Sequence, residues 1–249
     1  MSRAAAVILA FVGTSAAGYI LPGGAILRRM ATARNDLTVT SLKVEGALTY
    51  YGPGVQPAAT ALATPSERTE LTSDGALYIK SSGRCRAEAS VPEGTRVAVV
   101  HAQGRKRLEG AEIPALSVAI EQVCAILSAR AGSDQETRGL VERHLRGLGI
   151  DPKVTSLARL GNHVAYVLGD AGEGKPQFWV YKEGFRPARL RYKDTAGTAW
   201  DVRFLDYGGS PAGDGMPRNV EVWKGSDRVL RFAAFKGDTR STLADALFK

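Results

Sequence analysis

The stretch 177–192, QFWVYKEGFRPARLRY, constrains the fold more than any other part of the chain. Phe178 to Tyr181 is a run of apolar and aromatic residues, Lys182-Glu183-Gly184 is a turn, and Phe185-Arg186-Pro187 leads into Leu190 and Tyr192. This is the pattern of a strand, a tight turn and a returning strand. In the returning strand Arg189 and Arg191 alternate with Leu190 and Tyr192, so one face is wet and the other buried. The same alternation recurs in Leu42, Val44, Leu48 and Tyr50, in Leu77 and Ile79, in Trp200, Val202 and Phe204, in Val220 and Val222, and in Leu230 and Phe232. The chain therefore predicts a long antiparallel sheet of about eleven strands.

The expected strands occupy 37–51, 55–63, 67–72, 76–81, 84–91 and 95–102, then 163–168, 178–181, 187–192, 198–207, 219–224 and 228–235. Ser73-Asp74-Gly75 has the residues of a type I′ hairpin turn, so a chain reversal is expected there. Helical spacing marks 23–35, where Ile26, Leu27, Met30 and Ala33 share a face and Arg28, Arg29 and Arg34 are expected on the wet side. It also marks 114–131, through Leu116, Ile120, Val123 and Leu127. Ser133 with Glu136 forms a capping box for a further helix to Leu148, with Leu140, Leu145 and Leu148 available to face a sheet. A short closing helix is expected within 241–248. An antiparallel sheet this long must curl to bury one face, and helices inserted mid-sequence then cover its open side. The fold class is α+β, mainly β: a half-open antiparallel barrel with a mid-chain helix pair as lid, in a single domain over 18–249.

Residues 1–17, MSRAAAVILAFVGTSAA, read as a cleavable signal peptide: Arg3 in the n-region, an apolar core of Ala4 to Val12, and small residues at Ser15-Ala16-Ala17. The expected location is the periplasm. In such an oxidising compartment Cys85, in a predicted strand, and Cys124, in a predicted helix, can form a disulfide. Two separate buried thiols are the alternative. The two Cys and three His (His101, His144, His163) show no ligand spacing, so no metal is expected. No cofactor is expected either.

The formal charge of +8 permits an anionic partner, but the basic residues are scattered and aromatics are only 7%, which disfavours nucleic acid. Arg105-Lys106-Arg107, in an expected hairpin at 104–108, is the one basic cluster, suited to anionic headgroups or simply to a solvated turn. Gly169 to Lys175 (GDAGEGK) approaches a phosphate-binding loop, but Pro176 replaces the needed hydroxyl and a strand follows, so it reads as a turn. No nucleophile elbow or catalytic constellation is present, and Asp201 and Asp206 read as wet-face charges; the chain is not expected to be an enzyme.

Ser73-Asp74-Gly75 before Leu77-Tyr78-Ile79, and Phe178-Trp179-Val180-Tyr181 with Lys182-Glu183-Gly184, Pro187 and Leu190, resemble phrases of the LolA/LolB-like periplasmic lipoprotein carriers. The signal peptide, N-terminal helix and mid-chain helix pair agree, and the resemblance covers most of 23–236. It implies a half-open barrel whose apolar cavity shields acyl chains, with lipid or acylated lipoprotein as cargo, transient contact with membrane-bound donor and acceptor proteins, and a monomeric state. The family's basic residue and Pro before the third strand are not matched, since Ala63-Thr64-Pro65 stands there and Arg68 comes later. Cys85, Cys124 and the basic 104–108 segment also lie outside the family pattern. The candidate cavity residues are Leu42, Val44, Leu48, Leu77 and Ile79 from the first half. From the second half they are Phe178, Val180, Leu190, Trp200, Val202, Phe204, Val220, Val222 and Phe232. A carrier of acyl chains and a non-catalytic protein-binding module with a filled barrel remain the two readings.

Overall fold

The computed structural model describes residues 20–37, 39–65, 69–81, 83–102 and 104–249. The signal peptide expected at 1–17 and Arg68 lie outside the described residues. Helix α1 (Gly23–Asp36) is followed by β1 (Ser41–Tyr51), α2 (Val55–Ala61), β2 (Glu70–Lys80), β3 (Arg84–Ser90), β4 (Arg96–Ala102) and β5 (Arg105–Glu109). Two helices come next, α3 (Pro114–Leu127) and α4 (Asp134–Gly147). The chain then returns through β6 (Thr155–Leu160), β7 (His163–Leu168), β8 (Gln177–Tyr181), β9 (Pro187–Lys193), β10 (Ala199–Leu205), β11 (Asn219–Lys224) and β12 (Asp227–Asp238).

All twelve strands form one antiparallel sheet in the order β5-β4-β3-β2-β1-β12-β11-β10-β9-β8-β7-β6. Its two edges, β5 and β6, do not pair with each other, so the barrel is open. The segment joining those edges is α3–α4, which is why the helices fall across the open side. Helix α3 touches β3 and β4 on one flank and β11 and β12 on the other. It is apolar nearly all round, with Leu116, Ala119, Ile120, Val123, Cys124, Ile126 and Leu127 buried, as expected of a helix sunk in a core. Helix α4 is amphipathic and packs mainly against α1 rather than on the sheet. It buries Val141 and Leu145, while Leu140, expected to face the sheet, is exposed. The Ser133 hydroxyl caps α4 by accepting from the Glu136 N–H at 3.2 Å. Among the described residues no helix is long and apolar enough to cross a membrane.

Four expectations fail locally. The Asp74-Gly75 turn is absent: β2 runs straight through it and pairs with β1 from Ser41↔Lys80 to Tyr51↔Glu70. Gly75 instead faces Gly46 across the ladder, and the missing side chains make room for a core. A Cβ at Gly46 would lie 2.6 Å from the Phe232 ring, and one at Gly75 would lie 2.7 Å from Leu48 Cγ. Pairing with β1 and packing of Phe232 override the local turn preference. Residues 55–61 are helical rather than a strand, because Val55, Ala58, Ala59 and Leu62 present one buried helical stripe. Residues 105–109 are an edge strand, and the opposite edge, β6, lies outside the expected strands: it is half-exposed, with only Ala158 and Leu160 packed on an apolar cluster. The closing helix shrinks to a single 3-10 turn, Asp245–Phe248, where Leu243 and Phe248 pack on Val100 of the convex face.

Candidate functional site

The fourteen candidate residues come together. Each points to the concave side, each is at most 8% exposed, and all belong to one apolar cluster. The strand alternation accounts for this: β1 buries every second residue over its whole length, and β10 and β11 line up Val202↔Val222 and Phe204↔Val220 in register. Opposite this wall α1 inserts Ile26, Leu27, Met30 and Ala31, and α3 inserts its apolar stripe. In this form the wall touches protein side chains. A solvent-open trough of about 1120 Å³ lies elsewhere, at the end of the sheet between the β6–β7 turn, Tyr181, Arg186 and Leu205.

The two covers are fastened differently. Cys85 of β3 and Cys124 of α3 are joined by a disulfide with Cα atoms 5.7 Å apart, so α3 is stapled to the sheet. On the other flank the Gln122 side-chain amide donates to the Tyr192 hydroxyl at 3.1 Å, and His144 Nε2 lies 2.8 Å from Gln122 Oε1. Burial holds the His144 pKa below the ordinary imidazole value. Helix α1 carries no covalent link among the described residues. It meets α4 through Asp134, which accepts from Thr32 Oγ1 at 2.5 Å and from Asn35 Nδ2 at 2.6 Å. Those two hydrogen bonds hold the Asp134 carboxyl below its usual range. Arg29 of α1 also lies over the Phe185 ring at 5.2 Å, and that ring stacks on Tyr166. Phe185 adopts φ +50° in the turn after Gly184, a region that bulky side chains avoid.

On the convex side charged groups are paired with one another. Asp201, expected to be wet, is buried because Arg189 forks onto it at 2.8 and 2.5 Å and Arg203 reaches it at 2.9 Å. Arg189 also covers the Trp179 ring, and Arg203 covers Trp223 at 4.2 Å. The three His are far apart in role: His101 is half-buried on β4, His144 is on α4, and His163 packs edge-on against Tyr181. Among the described residues no three His, Cys, Asp or Glu are grouped for a metal. The GDAGEGK segment is the β7–β8 connection, with Gly169 and Gly174 at positive φ.

Arg34 of α1, expected on the wet face, turns inward at the end of its helix and donates to the Gly215 carbonyl at 2.6 Å. Its Nε is enclosed and has no hydrogen-bond partner among the described residues. Arg130, just past α3, lines the same small cavity of about 30 Å³ together with Val39, Leu42, Ile79 and Leu127. Desolvation, with Arg130 nearby, lowers the Arg34 pKa to about 10.

No protein-family model matches the chain, and no curated protein is significantly similar to it in sequence. Solved structures align with most of the chain. One is a LolA superfamily protein from Nitrosomonas europaea: 14% identical, with 92% of this chain and 98% of that chain covered and a TM-score of 0.49. A second is a DUF1329 family protein from Desulfovibrio piger: 12% identical, 92% and 98% covered, TM-score 0.49. A third is a domain from Vibrio parahaemolyticus described as an outer membrane lipoprotein-sorting protein: 11% identical, 89% and 95% covered, TM-score 0.45.

Proposed function

We propose that the protein is a non-enzymatic carrier of acyl chains, a lipid or a lipoprotein, working in an oxidising envelope compartment. The observation that carries this reading is the covering of one continuous apolar wall by a separate helix, α1, held without a covalent bond among the described residues. A helix of this kind can be replaced by another apolar cylinder. Removing Ile26, Leu27 and Met30 from the wall costs roughly 5–9 kcal/mol, at about 1.5–3 kcal/mol for each side chain. An acyl chain of about fourteen carbons gains on the order of 11 kcal/mol at about 0.8 kcal/mol per methylene. The exchange is nearly balanced once association entropy is counted, as reversible loading and release require. The Cys85–Cys124 bridge and the signal-like residues 1–17 support the compartment.

One observation favours the second reading, a binding module for an envelope protein: the concave wall is fully packed. Native mass spectrometry of protein purified from its own envelope fraction, before and after organic extraction, separates the two. An adduct of lipid mass that vanishes on extraction is the expected result. A bare signal-cleaved mass in both samples overturns the carrier reading in favour of the module.

A further inference from the structure

We infer that Arg34 and Arg130 form an oxyanion site at the rim of the concave wall, where the phosphate or carboxylate headgroup of an acyl ligand docks. The inference rests on the carrier reading and adds a headgroup class to it. Two guanidinium groups share one small cavity whose lining contains no Asp or Glu. Neither arginine makes an ion pair among the described residues, although fifteen other such contacts occur in the molecule. Arg34 spends one donor on the Gly215 carbonyl and Arg130 one on the Val39 carbonyl at 3.2 Å. Arg34 Nε is sealed from solvent with nothing to donate to among the described residues. Like charges placed together and partly desolvated are costly, and an enclosed unpaired donor adds to that cost. An oxyanion relieves all of these costs at once, because the planar guanidinium fork matches phosphate and carboxylate oxygens.

The position gives the site its meaning. The same cavity is floored by Leu42, Ile79 and Leu127, which belong to the apolar core behind it. An anion held by the arginines therefore has its attached chain aimed into the wall. At about 30 Å³ the cavity now admits roughly one water, so an anion enters by taking the place of the Gly215 carbonyl. Gly215 lies in the 3-10 turn Gly213–Gly215, between β10 and β11. Ligand entry is thereby tied to release of the end of α1, the cover that the carrier reading requires to move.

The test uses two lipids with one chain: 1-myristoyl lysophosphatidate and monomyristoylglycerol, titrated below their micelle concentrations into delipidated, signal-cleaved protein. The native protein is expected to bind the lysophosphatidate about tenfold or more tightly than the glyceride. Arg34→Gln/Arg130→Gln is expected to bind both alike, at the glyceride's native affinity. Equal affinities in the native protein overturn the anion site and leave the carrier standing. A preference that survives in the double variant places the headgroup elsewhere and overturns the inference. Binding of neither lipid overturns the carrier; if inorganic phosphate then stabilises the native protein but not the double variant, the anion site stands with free phosphate as its ligand, and if it does not, the site falls too. Should the double variant fail to fold, Arg130→Gln alone is expected to lose part of the preference and Arg130→Lys to keep most of it. The same preference in both overturns a role for Arg130.

Discussion

Helices α1 and α3 cover the same apolar wall, yet they are built on opposite principles. Helix α3 is apolar on nearly every side, is stapled by Cys85–Cys124, and is pinned through Gln122 to Tyr192. Helix α1 has one narrow apolar stripe and a polar outer side that answers to α4 through Thr32, Asn35 and Asp134. The first is part of the core, whereas the second rests on it. An interior that must open along one side without unfolding needs this inequality, because a cover can leave only if its loss does not dissolve the remainder. The expectation that both mid-chain helices form the lid is thereby refined. The disulfide keeps α3 with the sheet, and under the carrier reading the layer that would move is α1 with α4 behind it.

Breaking the staple is the largest test of this contrast. The bridge closes a loop with a sequence separation of 39, so Cys85→Ala/Cys124→Ala should lose about 4 kcal/mol, read by urea unfolding. Acyl binding, if α1 is the gate, should survive in whatever fraction remains folded. Truncating the other cover comes next. Leu27→Ala is expected to cost about 3 kcal/mol of stability and, unlike the cysteine change, to raise acyl affinity by removing a competitor for the wall. Loss of affinity in Leu27→Ala would show that α1 holds the ligand rather than excluding it.

A smaller effect should follow pH. The folded-state pKa of His144 is depressed by burial, so its contribution is complete above the unfolded value of about 6.5 and is lost as pH falls through that range. His101 is depressed in the same direction by burial and by Lys106. Stability measured from pH 8 to pH 5 should therefore decline, and His144→Gln should remove part of the decline while His101→Gln removes another part. The smallest effect is expected from Asp134→Asn. Its lowered pKa makes its support present above about pH 4 and lost below it. Amide exchange should quicken at the α1–α4 contact and not in α3, with global stability nearly unchanged. Equal quickening in both helices would erase the distinction between them.

Much of the architecture was legible because it depends on period. Alternation in 187–193, 199–205 and 219–224 states which side chains share a face, and a strand has only two faces to offer. The α3 pattern was equally plain. The errors fell where local chemistry and distant packing disagree. Asp74-Gly75 carries a turn signal, but its neighbours pair with β1 along the full strand. Residues 55–61 read as a strand but are a helix, because Val55, Ala58 and Ala59 bury one helical side. Arg34 gave no signal, since an arginine in the last turn of a helix ordinarily points to water and only the loop bearing Gly215 draws it in.

The sequence by itself determined the sheet, its apolar face, the central helices and the two cysteines able to meet, because side-chain periodicity is a property of a few consecutive residues. The tertiary structure alone decided four other matters: that Cys85 and Cys124 do pair, that Gly46 faces Gly75 beneath Phe232, that the wall is filled by α1 and α3, and that Arg34 and Arg130 share one cavity. Each of these joins residues distant in the chain, and such contacts are set by how whole layers pack, which no local pattern encodes.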